Sequence, residues 1–450
     1  MRRTYLSTAT VLLSLLSAAP CLRAEEGMWL LDQIPQLGAT LKAMGLQLSP
    51  EQIWDPKTNT GLASAVPWLG GCSASFVSPE GLIITNHHCA FGALQINSTP
   101  GHDYITSGFL ASSHGEELQA KGTRATVFKG YEDVTGEIVS ALEPAMTPEV
   151  RTKTIERREK EIVAACEKDG LRCRVAAMFG GGKYILFRQL ELRDVRLVCA
   201  PPNATGDFGG EVDNWMWPRQ TGDYSFLRAY VGPDGKPADY SPDNVPFRPD
   251  RWLKIAAAPL GDGDFTMILG YPGRTFRYRT ATAIADDLGF EYPQRIRTLK
   301  DLIAIYEAQG KRSKDVEIKL ASQLKGFYNS LKKDEGMLQG LERTDLAGHK
   351  RAEEAKLVAW IDADPARHTR WGDVLPEMEK ALASRRATRE RDALLYWLPP
   401  PRSSSRLAAA TLLVRLSEEK GKPDLEREAG YQARDERTLH RRLAVMQKNM

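Results

Sequence analysis

The stretch Gly71-Cys72-Ser73-Ala74-Ser75-Phe76-Val77-Ser78-Pro79-Glu80-Gly81-Leu82-Ile83-Ile84-Thr85-Asn86-His87-His88-Cys89 decides the fold. Two short apolar runs, 73–77 and 82–85, flank a turn containing Pro79 and Gly81, which is the pattern of a β-hairpin. Closing that hairpin brings Cys72 toward Cys89, so a disulfide between them is expected. Such a bridge would hold a histidine at the end of the second strand. His88 adjoins the bridged Cys89 and is therefore the more constrained imidazole, with His87 the weaker candidate.

Outward from the hairpin, further short strands are expected at 184–190, 195–199, 225–231 and 265–269, most of them bounded by Gly, Pro or Asp. Many short strands separated by turns favour a β-barrel or sandwich over an alternating α/β fold. One charged segment, 148–166, interrupts them and reads as a helix. After about residue 280 the texture changes. Ile296, Leu299, Leu302, Ile303 and Tyr306 form a helical stripe, and Leu320, Leu324, Phe327 and Leu331 form another. The expected organisation is a leader at 1–24, a β-rich region at 25–280 and a helical domain at 281–450. That last domain ends in an amphipathic segment with no return to strand texture, so the sequence reads as truncated within it.

Residues 1–24 carry a charged start, a short apolar core and a small residue before Glu25-Glu26, the pattern of a secretory signal removed after Ala24. Its core is shorter than the ~20 residues a membrane span needs. Export to an oxidising compartment lets cysteines pair. Of the six, Cys21 leaves with the leader, Cys72–Cys89 and Cys166–Cys173 are the natural pairs, and Cys199 is left over. A net charge of +3 over 450 residues gives no reason to propose nucleic acid or membrane as partner. No HExxH or Walker motif occurs, and the remaining histidines are scattered, so neither a metal nor a cofactor is expected. Gly261-Asp262-Gly263-Asp264 lacks the other oxygens of a calcium loop and reads as a turn.

The chemistry-bearing candidates are few. A hydroxyl is activated by an imidazole held in one tautomer, one nitrogen toward the nucleophile and the other toward a carboxylate. His88 suits that role, although a packing histidine beside a structural disulfide has the same local pattern. The second candidate is Gly209-Gly210-Glu211-Val212-Asp213-Asn214-Trp215-Met216-Trp217-Pro218-Arg219-Gln220-Thr221-Gly222-Asp223. On one reading Trp215 and Trp217 plug a barrel end while Asp213 and Asp223 cap turns. On the other, Asp223 orients His88, and Asn214 and Trp215 wall a substrate cleft. A nucleophile would sit in a glycine-rich turn whose amides form an oxyanion hole. No Gly-Asp-Ser-Gly, Gly-Asn-Ser-Gly or G-x-S-x-G occurs, and neither Ser73, Ser75 nor 403–405 has that context.

Taken together, these runs resemble the bacterial dipeptidyl-peptidase 7/11 family, the S46 serine peptidases. The resemblance rests on Gly27-Met28-Trp29, the stretch 71–77, Gly81 to Cys89, Asp213 to Arg219, Thr221-Gly222-Asp223, Gly270-Tyr271-Pro272-Gly273 and Gly326-Phe327-Tyr328-Asn329. It implies a mixed β and α fold: a chymotrypsin-like β-barrel followed by a large helical insertion, with the second barrel incomplete or absent here. It further implies release of dipeptides from the free amino terminus of oligopeptides, in the periplasm or at the outer surface, by a homodimer when full length. His88 would be the base, Asp223 its partner, and Asn214, Trp215 and Asn329 would hold the substrate's ammonium. Gln220 departs from the histidine common in the family. The family's serine lies beyond the helical insertion, so these residues alone are expected to lack the nucleophile and to be inactive. The alternative is a non-catalytic peptide-binding protein or an inactive truncated gene product.

Overall fold

Ser78 Oγ accepts the backbone N–H groups of Glu80 and Leu82, each at 3.2 Å, and so closes the turn between the strands β1 (Ser75–Phe76) and β2 (Leu82–Thr85). Gly81 sits there at φ 67°, and a Cβ on it would lie 2.7 Å from the Phe247 carbonyl oxygen, so both conformation and space require glycine. Ser75 pairs with Ile84 and Phe76 with Ile83 in antiparallel register. The first strand is shorter than expected because Leu69 and Ala74 send their N–H groups to Cys72 and Pro67 rather than into a ladder. The computed structural model describes residues 28–448 apart from 100, 169, 274–275, 277 and 398–404. The expected leader at 1–24 lies outside the described residues.

The remaining strands are β3 (Phe109–Leu110), β4 (Leu118–Gln119), β5 (Ala125–Asp133), β6 (Leu171–Met178), β7 (Lys183–Leu192), β8 (Asp194–Ala200), β9 (Ser225–Val231) and β10 (Val245–Pro246). Seven form one antiparallel sheet in the order β1-β2-β9-β8-β3, with β10 added to β9 and β4 to β8. Three form a second sheet, β5-β7-β6. Among the described residues both sheets are open, and no closed barrel forms. The expected strand at 265–269 is also absent. Phe265, Met267 and Leu269 pack instead on Ile34, Leu46 and Ile53, while Ile268 between them is exposed. The alternation typical of a strand is there, but without ladder hydrogen bonds.

Phe76, Ile83, Leu94, Leu192, Val195, Leu197 and Leu227 fill the core of the larger sheet, with Ile83 fully buried. Leu94 belongs to helix α1 (His87–Asn97), which follows β2 directly and lies on this core. Burying a side chain such as Ile83 stabilises the fold by ~2 kcal/mol. Helix α2 (Pro148–Cys166) covers the second sheet through Ile162 and Val163, and the Cys166–Cys173 disulfide ties its end to β6.

From residue 281 the ordered elements are helical: α3 (Ala281–Asp286), α4 (Tyr292–Gly310), α5 (Lys314–Arg343), α6 (Leu346–Asp362), α7 (Val374–Leu395), α8 (Ser405–Lys420) and α9 (Glu436–Lys448). Leu299, Ile303 and Phe327 are buried between α4 and α5, as their stripes imply. Arg434, just before α9, donates to the Cys173 carbonyl at 3.0 Å and pairs with Glu167 at 2.8 Å, returning the chain to the second sheet.

The buried Glu117–Arg228 ion pair helps to brace the larger sheet. Glu117 accepts from Arg228 Nε at 2.9 Å and from the Tyr230 hydroxyl at 2.8 Å. Removing one partner of such a pair leaves a charge buried and unpaired, at a cost of about 3 kcal/mol. Glu117→Ala is therefore expected to lower the urea unfolding midpoint by a corresponding amount, with the slope unchanged.

Candidate active site

β2 ends at Thr85, Asn86 continues in extended conformation, and α1 begins at His87, so His88 stands in the first turn of a helix rather than at a strand end. Cys72 and Cys89 are joined, with Cα atoms 6.2 Å apart, and this ties that turn to the loop before β1. The side chain of Asn86 makes no capping bond to the helix. The cap comes from elsewhere: Asp223, just ahead of β9, accepts the backbone N–H of His88 at 3.0 Å through Oδ1. Its Oδ2 lies 2.8 Å from His88 Nδ1 and 3.1 Å from the donating Asn86 Nδ2.

An ionised carboxylate only accepts, so Nδ1 carries the proton and Nε2 is left with its lone pair. Nε2 has no partner among the described residues, and the His88 side chain is 56% exposed. Burial alone would push the Asp223 carboxyl up. The hydrogen bonds from the His88 ring and backbone, the His88 charge and the Asn86 amide outweigh it and bring the pKa from 3.8 down to about 2. The helix N-terminus favours the same anionic state.

His87 has a different fate. Its ring is fully buried, edge-on to Phe91, and occupies the space that a side chain at Gly206 would need. Burial, reinforced by the nearby Lys325 charge, holds its pKa below the ordinary histidine value. A Cβ on Gly206 would fall 2.3 Å from the His87 ring. The Gly206 carbonyl accepts from Thr221 Oγ1 at 3.2 Å, and the Thr205 carbonyl accepts the Gly222 N–H at 2.9 Å. His87 thus sets the depth of the segment that in turn positions Asp223.

The tryptophans plug no core: Trp215 is 59% and Trp217 91% exposed. Trp215 Nε1 donates to Asn329 Oδ1 at 3.0 Å and to the Asn329 carbonyl at 3.1 Å. Asn214 Nδ2 donates to Asn329 Oδ1 at 3.1 Å and to Glu211 Oε2 at 3.2 Å. Asn214, Trp215 and Asn329 are therefore together, although 114 residues separate Trp215 from Asn329.

Asn329 is carried on α5 with Lys325 and Lys332, at i, i+4 and i+7 on one helical face. Lys325 Nζ donates to Asp207 Oδ2 at 2.8 Å, and Lys332 Nζ to the carbonyls of Glu211 and Val212. Sequence reading overlooked Lys325, Lys332, Asp207 and Glu211. Only the shared spacing on α5 could have flagged the lysines, and it resembles an ordinary solvated face. Ser73, weighed and rejected as nucleophile, uses its Oγ to accept the Tyr271 N–H at 2.7 Å.

The sequence model of the Peptidase S46 family matches residues 24–450. An Asp/Glu-specific dipeptidyl-peptidase of Shewanella putrefaciens is 38% identical over 414 residues, 92% of this chain and 55% of the relative. A dipeptidyl-peptidase 7 of Capnocytophaga gingivalis is 35% identical over 380 residues, 84% of this chain and 53% of the relative. The crystal structure of Porphyromonas endodontalis DPP11 with the dipeptide Arg-Glu superposes with a TM-score of 0.75 at 30% identity, covering 94% of this chain and 60% of that one. The same protein in an alternate conformation gives a TM-score of 0.58. The chain spans about half the length of the curated relatives it matches.

Two measurements test this geometry. The folded pKa of Asp223 lies below its ordinary value, so its stabilisation, about 2 kcal/mol, is present above pH 4 and lost as pH falls toward 2. The melting-temperature gap between wild type and Asp223→Asn should accordingly be widest near pH 6 and shrink toward pH 2. Gly206→Ala should displace the His87 ring and lower stability by ~1–3 kcal/mol, the usual cost of overpacking, read as a lower urea midpoint.

Proposed function

This chain belongs to the peptidase S46 family, and from that premise we propose that it is the amino-terminal portion of a serine dipeptidyl peptidase acting on the free amino end of oligopeptides. The observation that carries the reading is the 2.8 Å contact between His88 Nδ1 and Asp223 Oδ2. With Nδ1 so engaged, Nε2 takes the proton of an attacking serine hydroxyl and later returns it to the leaving amine. Asp223 keeps the ring in that tautomer and stabilises the imidazolium as it forms. The serine itself belongs, on this reading, to the part of the relatives' length that these residues do not span.

Asn214, Trp215 and Asn329 form the pocket for the substrate's ammonium. A cation stripped of water needs oxygens in its place, and a peptide that brings a neutral acetylated end gains nothing from them. Counting two residues from the amino end then follows from the distance between that pocket and the attacked carbonyl. Residues 25–280 constitute the peptidase region, its seven-stranded sheet contributing to a chymotrypsin-like barrel, and residues 281–450 the helical domain. The two disulfides support action outside the cytoplasm, in the periplasm, and no described helix is long and apolar enough to cross a membrane. Full-length assembly as a homodimer completes the proposal.

Titration calorimetry with free and acetylated oligopeptides tests the reading. Binding of the free form alone is expected, with no release of fluorophore from dipeptidyl substrates by the 450-residue chain. Equal heat, or none, from both peptides would overturn the pocket assignment. Turnover abolished by His88→Ala would keep the base but overturn the placement of the serine.

A further inference from the structure

The amide orientations in the pocket follow from partners that have only one role. An ionised carboxylate can only accept, so the Asn214 side chain must turn its NH2 toward Glu211 Oε2, 3.2 Å away. An indole nitrogen can only donate, so Trp215 Nε1 must face an acceptor, and Asn329 Oδ1 supplies it at 3.0 Å. That same oxygen takes Asn214 Nδ2 at 3.1 Å. Both N–H groups of Asn214 are thereby used, and its Oδ1 is the pocket's uncommitted amide oxygen. The Asn329 oxygen already has two donors.

Glu211 is also the carboxylate that touches the Asn214 amide. It has no salt-bridge partner among the described residues: Lys332 next to it is engaged with the backbone carbonyls of Glu211 and Val212. Glu211 and Asn214 are three residues apart across the turn Gly210–Asp213, a spacing that brings side chains together. Resting on the amino-terminus pocket proposed above, we infer that Glu211 is the positioning residue of that pocket. It locks the Asn214 amide with its oxygen outward, and its negative charge favours a cationic amino end over a neutral one.

The logic predicts a particular failure when Glu211 becomes glutamine. Glutamine keeps the size and can still accept from Asn214, but it can equally donate. Asn214 is then held in orientation only by Asn329 Oδ1, so the flipped amide, which presents NH2 to an incoming ammonium, costs less than in wild type, and the formal charge is gone. Both changes penalise the same ligand.

The test uses the 450-residue chain and one oligopeptide in two forms, free and amino-acetylated. In Glu211→Gln, affinity for the free form is expected to fall by about tenfold, the scale of one charge-assisted hydrogen bond, while any weak affinity for the acetylated form stays unchanged. Glu211→Asp keeps an acceptor-only carboxylate and should restore most of the preference. Thermal unfolding of each variant within a few degrees of wild type separates this from a folding defect. If wild type prefers the free peptide and Glu211→Gln does so equally, the role given to Glu211 is overturned while the pocket stands. The role is also overturned if the variant loses both forms alike. If wild type shows no preference, the pocket itself falls and this role falls with it.

Discussion

The carboxylate of Asp223 is the constraint on which the candidate site depends. One side chain caps the first turn of α1, fixes the His88 tautomer and anchors Asn86 between β2 and that helix. These are three different demands, and only an acceptor-only group with two oxygens meets them together. Each donor lowers the cost of keeping the charge ionised despite its partial burial, which is why its pKa sits near 2. The disulfide on the other side of the same turn prevents the helix from drifting away from this anchor.

Neighbouring residues divide the labour in the Asn86-His87-His88-Cys89 run. His87 points into the core and His88 to the surface, continuing the in-and-out alternation of β2 into the first helical residues. The buried ring sets the position of Gly206, and through the 205–206 and 221–222 hydrogen bonds it sets that of Asp223. An apparently redundant pair of histidines is therefore one buried, structural residue and one exposed residue paired with Asp223. The buried one acts on the exposed one through the backbone of a third segment.

Much of this was legible from residue order. The turn at Pro79-Gly81, the disulfide pairs and the helix Pro148–Cys166 follow from local rules, because hairpin closure, cysteine proximity and helix capping are short-range effects. The strand expected at 265–269 failed because alternation reports a half-buried surface, not a ladder partner. Its side chains pack on Ile34, Leu46 and Ile53 without any neighbour supplying backbone bonds. The exposed tryptophans were equally illegible, since composition cannot distinguish an aromatic that fills a core from one left at the surface. Glu211 escaped notice because nothing local separates it from any other acid in a loop. Its meaning appears only when Asn214 and Asn329 are seen side by side.

Helix α5 behaves as a ruler laid between two halves of the molecule. Lys325, Asn329 and Lys332 meet the 207–215 segment from one stripe of a helix about 45 Å long. Such a stripe tolerates a change of length only in whole turns. One residue gained or lost ahead of position 325 would swing all three side chains away by about 100 degrees at once. In this family, then, variation in helix length upstream of this stripe should come in steps of three or four residues, or be taken up in the loop before it.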